Sequence, residues 1–126
     1  MFSEKINLGK LGEDEALDFL VKNGYKIIAR NYRTRLGEVD IIASDRDTFC
    51  FVEVKARRSC IRGTPAEAVS RKKENQISKA ALHFIKDKGL WGKKARFDVV
   101  SVIYSGGMVK LDLIKNAFEL NERFSI

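Results

Sequence analysis

Between residues 8 and 23 the apolar positions Leu17, Leu20 and Val21 return at helical spacing, and Gly24 follows, so the chain is predicted to open on a helix. The pattern then changes. Residues 25–32 are rich in β-branched and aromatic side chains and predict a strand, with Asn31 and Gly37 marking an irregular stretch around Arg33 and Arg35. Residues 38–43 and 49–55 flank the polar turn Ser44-Asp45-Arg46-Asp47-Thr48 and predict a hairpin. Thr64-Pro65-Ala66-Glu67 combines a capping threonine, a proline at the first helical position and a glutamate at the third, which predicts a long helix over residues 65–88 stopped by Gly89. Residues 97–104 and 108–114 predict two more strands across Ser105-Gly106-Gly107, and residues 116–122 a short terminal helix. The order αβββαββ, with a strand-helix-strand step in its middle, implies a parallel crossover in a mixed sheet and hence a three-layer α/β sandwich.

At 126 residues the chain forms one domain, 1–126, because single cores usually span about 100 to 200 residues. Its 24 Lys and Arg against 17 Asp and Glu leave a net charge of +7. Of that excess, +6 lies in residues 54–79, where eight bases (Lys55, Arg57, Arg58, Arg62, Arg71, Lys72, Lys73, Lys79) meet two acids (Glu67, Glu74). Clustered bases suit counterion release on a polyanion, whereas charge kept for solubility can be scattered. Two cysteines, Cys50 and Cys60, with a single histidine, His83, make neither a disulfide framework nor a zinc site, so a reduced, cytoplasmic protein is the simplest account. The first residues carry no apolar signal segment, and no stretch approaches the roughly 18 apolar residues of a membrane span.

The candidate chemistry lies in the hairpin. Alternation puts Glu38 and Asp40 on one face of a strand and Glu53 and Lys55 on one face of the next. A turn about the Arg46-Asp47 bond would set Asp40 opposite Glu53 and Glu38 opposite Lys55, and a one-residue slip would undo both pairings. Opposed carboxylates about 5 Å apart repel, so a cation is expected between them. Lys55 can supply part of that charge, and a hard divalent ion such as Mg²⁺ suits the rest. Spacing alone leaves open a second reading, an ordinary charge-paired strand end with Glu38 and Lys55 as a cross-strand ion pair. Glu13 projects toward the side of Leu17 and Leu20 and so needs a partner, and Lys73 lies along the apolar stripe of Ile77 and Ala81, with Lys72 rotated away.

Leu11-Gly12-Glu13 with Ala16, Gly24-Tyr25, Asn31-Tyr32-Arg33, Gly37-Glu38-Val39-Asp40 and Phe51-Val52-Glu53-Val54-Lys55 with Arg57 form an ordered set, continued by Ala68-Val69 with Lys73 and by Arg96-Phe97-Asp98-Val99-Val100. In this the chain resembles the YraN-type family of predicted endonucleases and, more distantly, the Holliday-junction resolvases of the PD-(D/E)xK nuclease superfamily. The resemblance implies a restriction-endonuclease-like core. It makes Asp40 the metal-binding aspartate, Glu53 the second metal carboxylate, Lys55 the catalytic lysine and Glu13 an additional helix-one acid, with Mg²⁺ (or Mn²⁺ in its place) as cofactor. Val39 stands where the superfamily has proline, and Glu38 and Lys73 match the narrower family without an assigned role.

These residues predict metal-assisted hydrolysis of phosphodiesters in nucleic acid, DNA first, with RNA and the choice between branched and linear DNA left open by the sequence, and with Arg57, Arg58, Arg62, Lys72 and Lys73 gripping flanking phosphates. Two rivals remain at this point. One is a non-catalytic nucleic-acid-binding or docking module, in which the acids merely balance nearby bases. The other is an assembly role, a homodimer joined through Phe97, Tyr104, Phe118 and Phe124.

Overall fold

The computed structural model describes residues 8–58 and 69–119 of the chain. Seven elements follow in order: α1 (Leu8–Lys22), β1 (Lys26–Arg33), β2 (Glu38–Asp45), β3 (Thr48–Arg58), α2 (Arg71–Lys88), β4 (Lys94–Ser105) and β5 (Met108–Phe118). The strands make one sheet in chain order, antiparallel except for the parallel pair β3 and β4 that α2 connects. Alternation then divides the core into two apolar layers. Phe51 and Val99 pack under α2 with Ile77, Ala80, Ala81 and Phe84, whereas their neighbours Val52 and Val100 pack under α1 with Ala16 and Leu20. The result is the expected α/β sandwich of three layers. Among the described residues no helix is long and apolar enough to cross a membrane.

The hairpin forms in the predicted register, with Ile41 opposite Val52 and Asp45 opposite Thr48, so that Arg46 and Asp47 alone make the turn. Arg46 takes a left-handed φ of 58° there. Two predicted boundaries are corrected. The long helix is not continuous from residue 65, since Val69 and Ser70 are non-helical and α2 begins at Arg71. Ser70 is its cap: the backbone there is extended, the hydroxyl accepts from the Lys73 amide at 3.1 Å, and the carbonyl accepts from Glu74 at 2.9 Å. The Thr64-Pro65-Ala66-Glu67 signal lies outside the described residues. The second correction is that residues 116–118 extend β5 rather than begin a helix, because Asn116 turns left-handed (φ 54°), donates its amide to Asp98 and leaves Phe118 to stack on Phe97 at 4.7 Å. That stacking puts both rings against the core under α2, so they do not offer an outward dimer face, and Phe124 lies outside the described residues.

Two glycines set how closely the helices approach the sheet. A methyl group on Gly12 would collide with the Cβ of Ala56, so α1 lies directly on β3. One on Gly37 would collide with the carbonyl of Gln76, so the β1–β2 turn is seated on the backbone of α2. Thr34 closes that turn, its hydroxyl accepting from the amides of Leu36 and Gly37, both at 3.1 Å.

Candidate active site

The β1 and β2 strands lose their period of two at one level. Ala29 and Tyr32 both face α2, and so do Val39 and Ile42, although each pair is three residues apart. Between them stand Asn31, left-handed at φ 50°, and Asp40, which faces it across the ladder between the pairs Arg30–Ile41 and Tyr32–Val39. The β2–β3 ladder ends one step away at Ile41–Val52. Beyond it the Asp40 carboxylate, not a backbone carbonyl, accepts from the Val54 amide at 2.8 Å. Asp40 is thus locked to β3 by its own side chain where the strands begin to part.

A cleft of about 400 Å³ opens at this level, lined by Gly9 and Glu13 of α1, Asp40, Glu53, Val54, Lys55 and Ala56, and Ser70 and Lys73 at the start of α2. Glu53 is buried, with 6% of its surface exposed. Burial, followed by a hydrogen bond donated to Asp40 and the charge of Asp40, pushes its carboxyl up to about 9, and Lys73 and Lys55 pull against this. With its carboxyl raised that far, Glu53 keeps its proton at neutral pH and can donate it to Asp40. The Lys73 ammonium stands 3.6 Å from Glu53 Oε2 and 3.9 Å from Glu38 Oε1, and Arg33 Nε donates to the other oxygen of Glu38 at 3.1 Å. Glu13 is also raised, by burial first and then by Asp40, while a hydrogen bond from Asn31 opposes the shift.

Asp40, Glu53, Lys55, Glu13 and Lys73 are therefore brought to one cleft, as their spacing suggested. The Glu38–Lys55 ion pair is not made, because the ladder stops before that level and Glu38 turns to Arg33 and Lys73. Nor does Glu13 join the other two acids as a ligand set: among the described residues no group of three or more Asp, Glu, His or Cys is placed to hold a metal ion. Asp40 and Glu53, which line one cleft, fit a Mg²⁺ site of the two-carboxylate kind, completed by water and phosphate oxygens. Arg57 and Arg58 lie in β3, with Arg58 exposed and Arg57 Nε buried without a hydrogen-bond partner among the described residues. Lys72 is exposed and outside the cleft lining, and Arg62 and Cys60 lie outside the described residues. Cys50 is buried, its thiol pushed up to about 12 by desolvation, which removes it as a nucleophile. Sequence reasoning missed Asn31 as a partner of Glu13 and Ser70 as a cap. Their signals were the left-handed tolerance of asparagine and a serine three residues before Lys73, both masked by stronger neighbouring motifs.

A family model described as "Uncharacterised protein family UPF0102" matches residues 12–102, a span that holds the five cleft residues named above. The chain belongs to the UPF0102 family. A UPF0102 protein of Desulfosudis oleivorans is 47% identical over 121 residues, covering 96% of this chain and 97% of that relative. The UPF0102 protein of Trichlorobacter lovleyi is 50% identical over 115 residues (90% and 91%), and that of Dictyoglomus thermophilum 49% over 113 (88% and 96%). The UPF0102 match ends at Val102 in β4, so β5 lies outside it.

Proposed function

We propose that this UPF0102 protein is a metal-dependent endonuclease that hydrolyses phosphodiester bonds in nucleic acid in the cytoplasm, with DNA, and branched DNA in particular, as its substrate. The observation that carries the reading is the convergence of Asp40 and Glu53 with Lys55 and Lys73 on one open cleft. Acids that repel, set among ammonium groups, suit a place where a cation and a phosphate must sit together. The helix, three strands, helix and strand that run from Leu8 to Ser105 agree with a restriction-endonuclease-like core.

In this reading Asp40 and Glu53 hold the ion, Mg²⁺ or Mn²⁺. Bound there, a divalent ion polarises the scissile phosphate and acidifies a water. Lys55, on the face of β3 shared with Glu53, orients the attacking water or steadies the charge that builds on the phosphorus oxygens. Asp40 keeps its geometry through the Val54 amide, and Glu13 adds negative potential from α1. Arg57, Arg58, Arg62 and Lys72 grip phosphates on either side, which gives affinity without sequence choice. Cutting both strands of a four-way junction calls for two sites and hence a homodimer.

The test is incubation with linear, flapped and four-way DNA, and with RNA, in Mg²⁺ or Mn²⁺. Products are expected from wild type, with Asp40→Asn and Lys55→Ala losing cleavage while keeping salt-dependent binding. No product from any of these substrates would refute the enzyme reading. The ion pair between Lys73 and Glu53 favours one alternative, a docking module whose acids are already balanced. That module would bind nucleic acid in a salt-sensitive manner, indifferent to EDTA, and release no cleaved product.

A further inference from the structure

We propose that Lys73 is a resident counter-ion that holds the divalent cation's place beside Glu53 and passes to Glu38 when the cation enters. The inference rests on the metal-dependent reading above and deepens it by giving α2 a part in loading the site.

Two carboxylates in a partly desolvated cleft need a positive neighbour, and the Lys73 ammonium stands within 4 Å of Glu53. Its root is fixed, because the Ser70 hydroxyl holds the Lys73 amide and the seating of Gly37 on Gln76 fixes the β1–β2 turn against the same helix. Its tip is not fixed in the same way. Nζ lies 3.6 Å from Glu53 and 3.9 Å from Glu38, close to midway, and the side chain keeps 31% of its surface exposed. Glu38 in turn divides its oxygens, one for Arg33 at 3.1 Å and the other toward Lys73. A displacement of about 1 Å therefore brings the ammonium into hydrogen-bond reach of Glu38. Since Arg33 already anchors Glu38, that acid can receive the lysine without moving itself. Lys73 is in this sense a positioning residue, acting on the cation through Glu53.

Mn²⁺ binding to the full chain, followed by electron paramagnetic resonance of the free ion with no nucleic acid present, separates the outcomes. Lys73→Met is expected to bind Mn²⁺ about tenfold more tightly than wild type, a gain of about 1.4 kcal/mol, while Lys73→Arg, which keeps the charge, stays within about twofold of wild type. Glu38→Gln should weaken binding about threefold in the wild-type background and leave Lys73→Met unchanged, the signature of an acid that acts only through the lysine. Thermal melts of each variant report folding, and Lys73→Gln replaces Lys73→Met should the latter not fold. Wild-type binding that Lys73→Met fails to tighten would overturn the inference and leave the metal-dependent reading standing. A Glu38→Gln effect of equal size in both backgrounds would overturn the hand-over to Glu38. No Mn²⁺ binding by wild type or Lys73→Met at millimolar ion would overturn both.

Discussion

The proton held between Asp40 and Glu53 should make this protein less stable as the pH rises through neutrality. Glu53 titrates near 4.5 when the chain is unfolded and near 9 in the cleft, so the folded state binds one more proton than the unfolded state between those limits. For a group raised on folding, the stabilisation is complete below the unfolded value and is lost as the pH rises through the folded one. One proton corresponds to about 1.4 kcal/mol per pH unit. From pH 6 to 8 the loss is therefore about 3 kcal/mol, and at roughly 4 °C per kcal/mol for a domain of this size Tm should fall by about 10 °C.

The assay is thermal unfolding of wild type and Glu53→Gln at half-unit steps from pH 6 to 8, in EDTA. Glutamine fills the same space and donates to Asp40 without an ionisable proton, while His83 and the other titrating groups are common to both proteins and cancel in the difference. The wild-type curve should fall and the variant should stay flat relative to it. Magnesium should then expel the proton, releasing about one H⁺ per ion at pH 7, measurable by titration calorimetry in buffers of different ionisation enthalpy. Two parallel Tm curves would refute the shared proton, and with it the electrostatic basis of the site.

Other outcomes follow from single contacts. Asp40→Asn and Lys55→Ala should lower cleavage by at least about 10²-fold, with filter binding to the same DNA little changed. Gly37→Ala should cost about 1 to 3 kcal/mol in urea unfolding, because its methyl meets the Gln76 carbonyl, and should loosen the turn that carries Glu38. Ser70→Ala should cost about 1 kcal/mol by leaving the Lys73 amide without its cap, read in the same unfolding experiment. Asp98→Ala should cost about 3 to 5 kcal/mol, since it removes a fully buried acid that accepts from Arg96, the Tyr25 hydroxyl and the Asn116 amide, and leaves Arg96 with Asp45.

Local patterns read from the sequence carried most of the architecture and the membership of the cleft. The register followed from the two-residue turn at Arg46 and Asp47, and that register placed Asp40 at the level of Glu53. Lys73 could be assigned to the cleft because an apolar stripe fixes which way each residue of a helix points. What local patterns could not show was how the edges of the site are made. Asn31 marked an irregular stretch in the sequence, but that its left-handed backbone changes the facing of two strands at once depends on a pairing with β2 that the local residues do not show. The start of α2 was misplaced because Thr64-Pro65 is the stronger capping signal in composition, yet Ser70 makes the hydrogen bond. Partners far apart in sequence were invisible for the same reason: Tyr25 reaches Asp98 across 73 residues.

That last contact divides the motifs on which the endonuclease resemblance rests. Tyr25, Arg96 and Asp98 do not face the cleft. They build a buried ion cluster in which the Asp98 carboxylate accepts from the Tyr25 hydroxyl at 3.0 Å, Arg96 Nε at 3.0 Å and the Asn116 amide at 2.9 Å, and Arg96 reaches on to Asp45 at 2.7 Å. Asp45 closes β2 at the end opposite Glu38, so the two polar groupings brace the two ends of that strand. Gly12 and Gly37 belong with the bracing set, since each permits a helix to lie close on the sheet or its turn. Only Glu13, Glu38, Asp40, Glu53, Lys55 and Lys73 are left for chemistry. A chain could keep the bracing half and lose the other, remaining a well-folded member of the family without a working site. Likeness over the whole length therefore speaks for the fold, and the case for catalysis rests on the charge balance among these six residues.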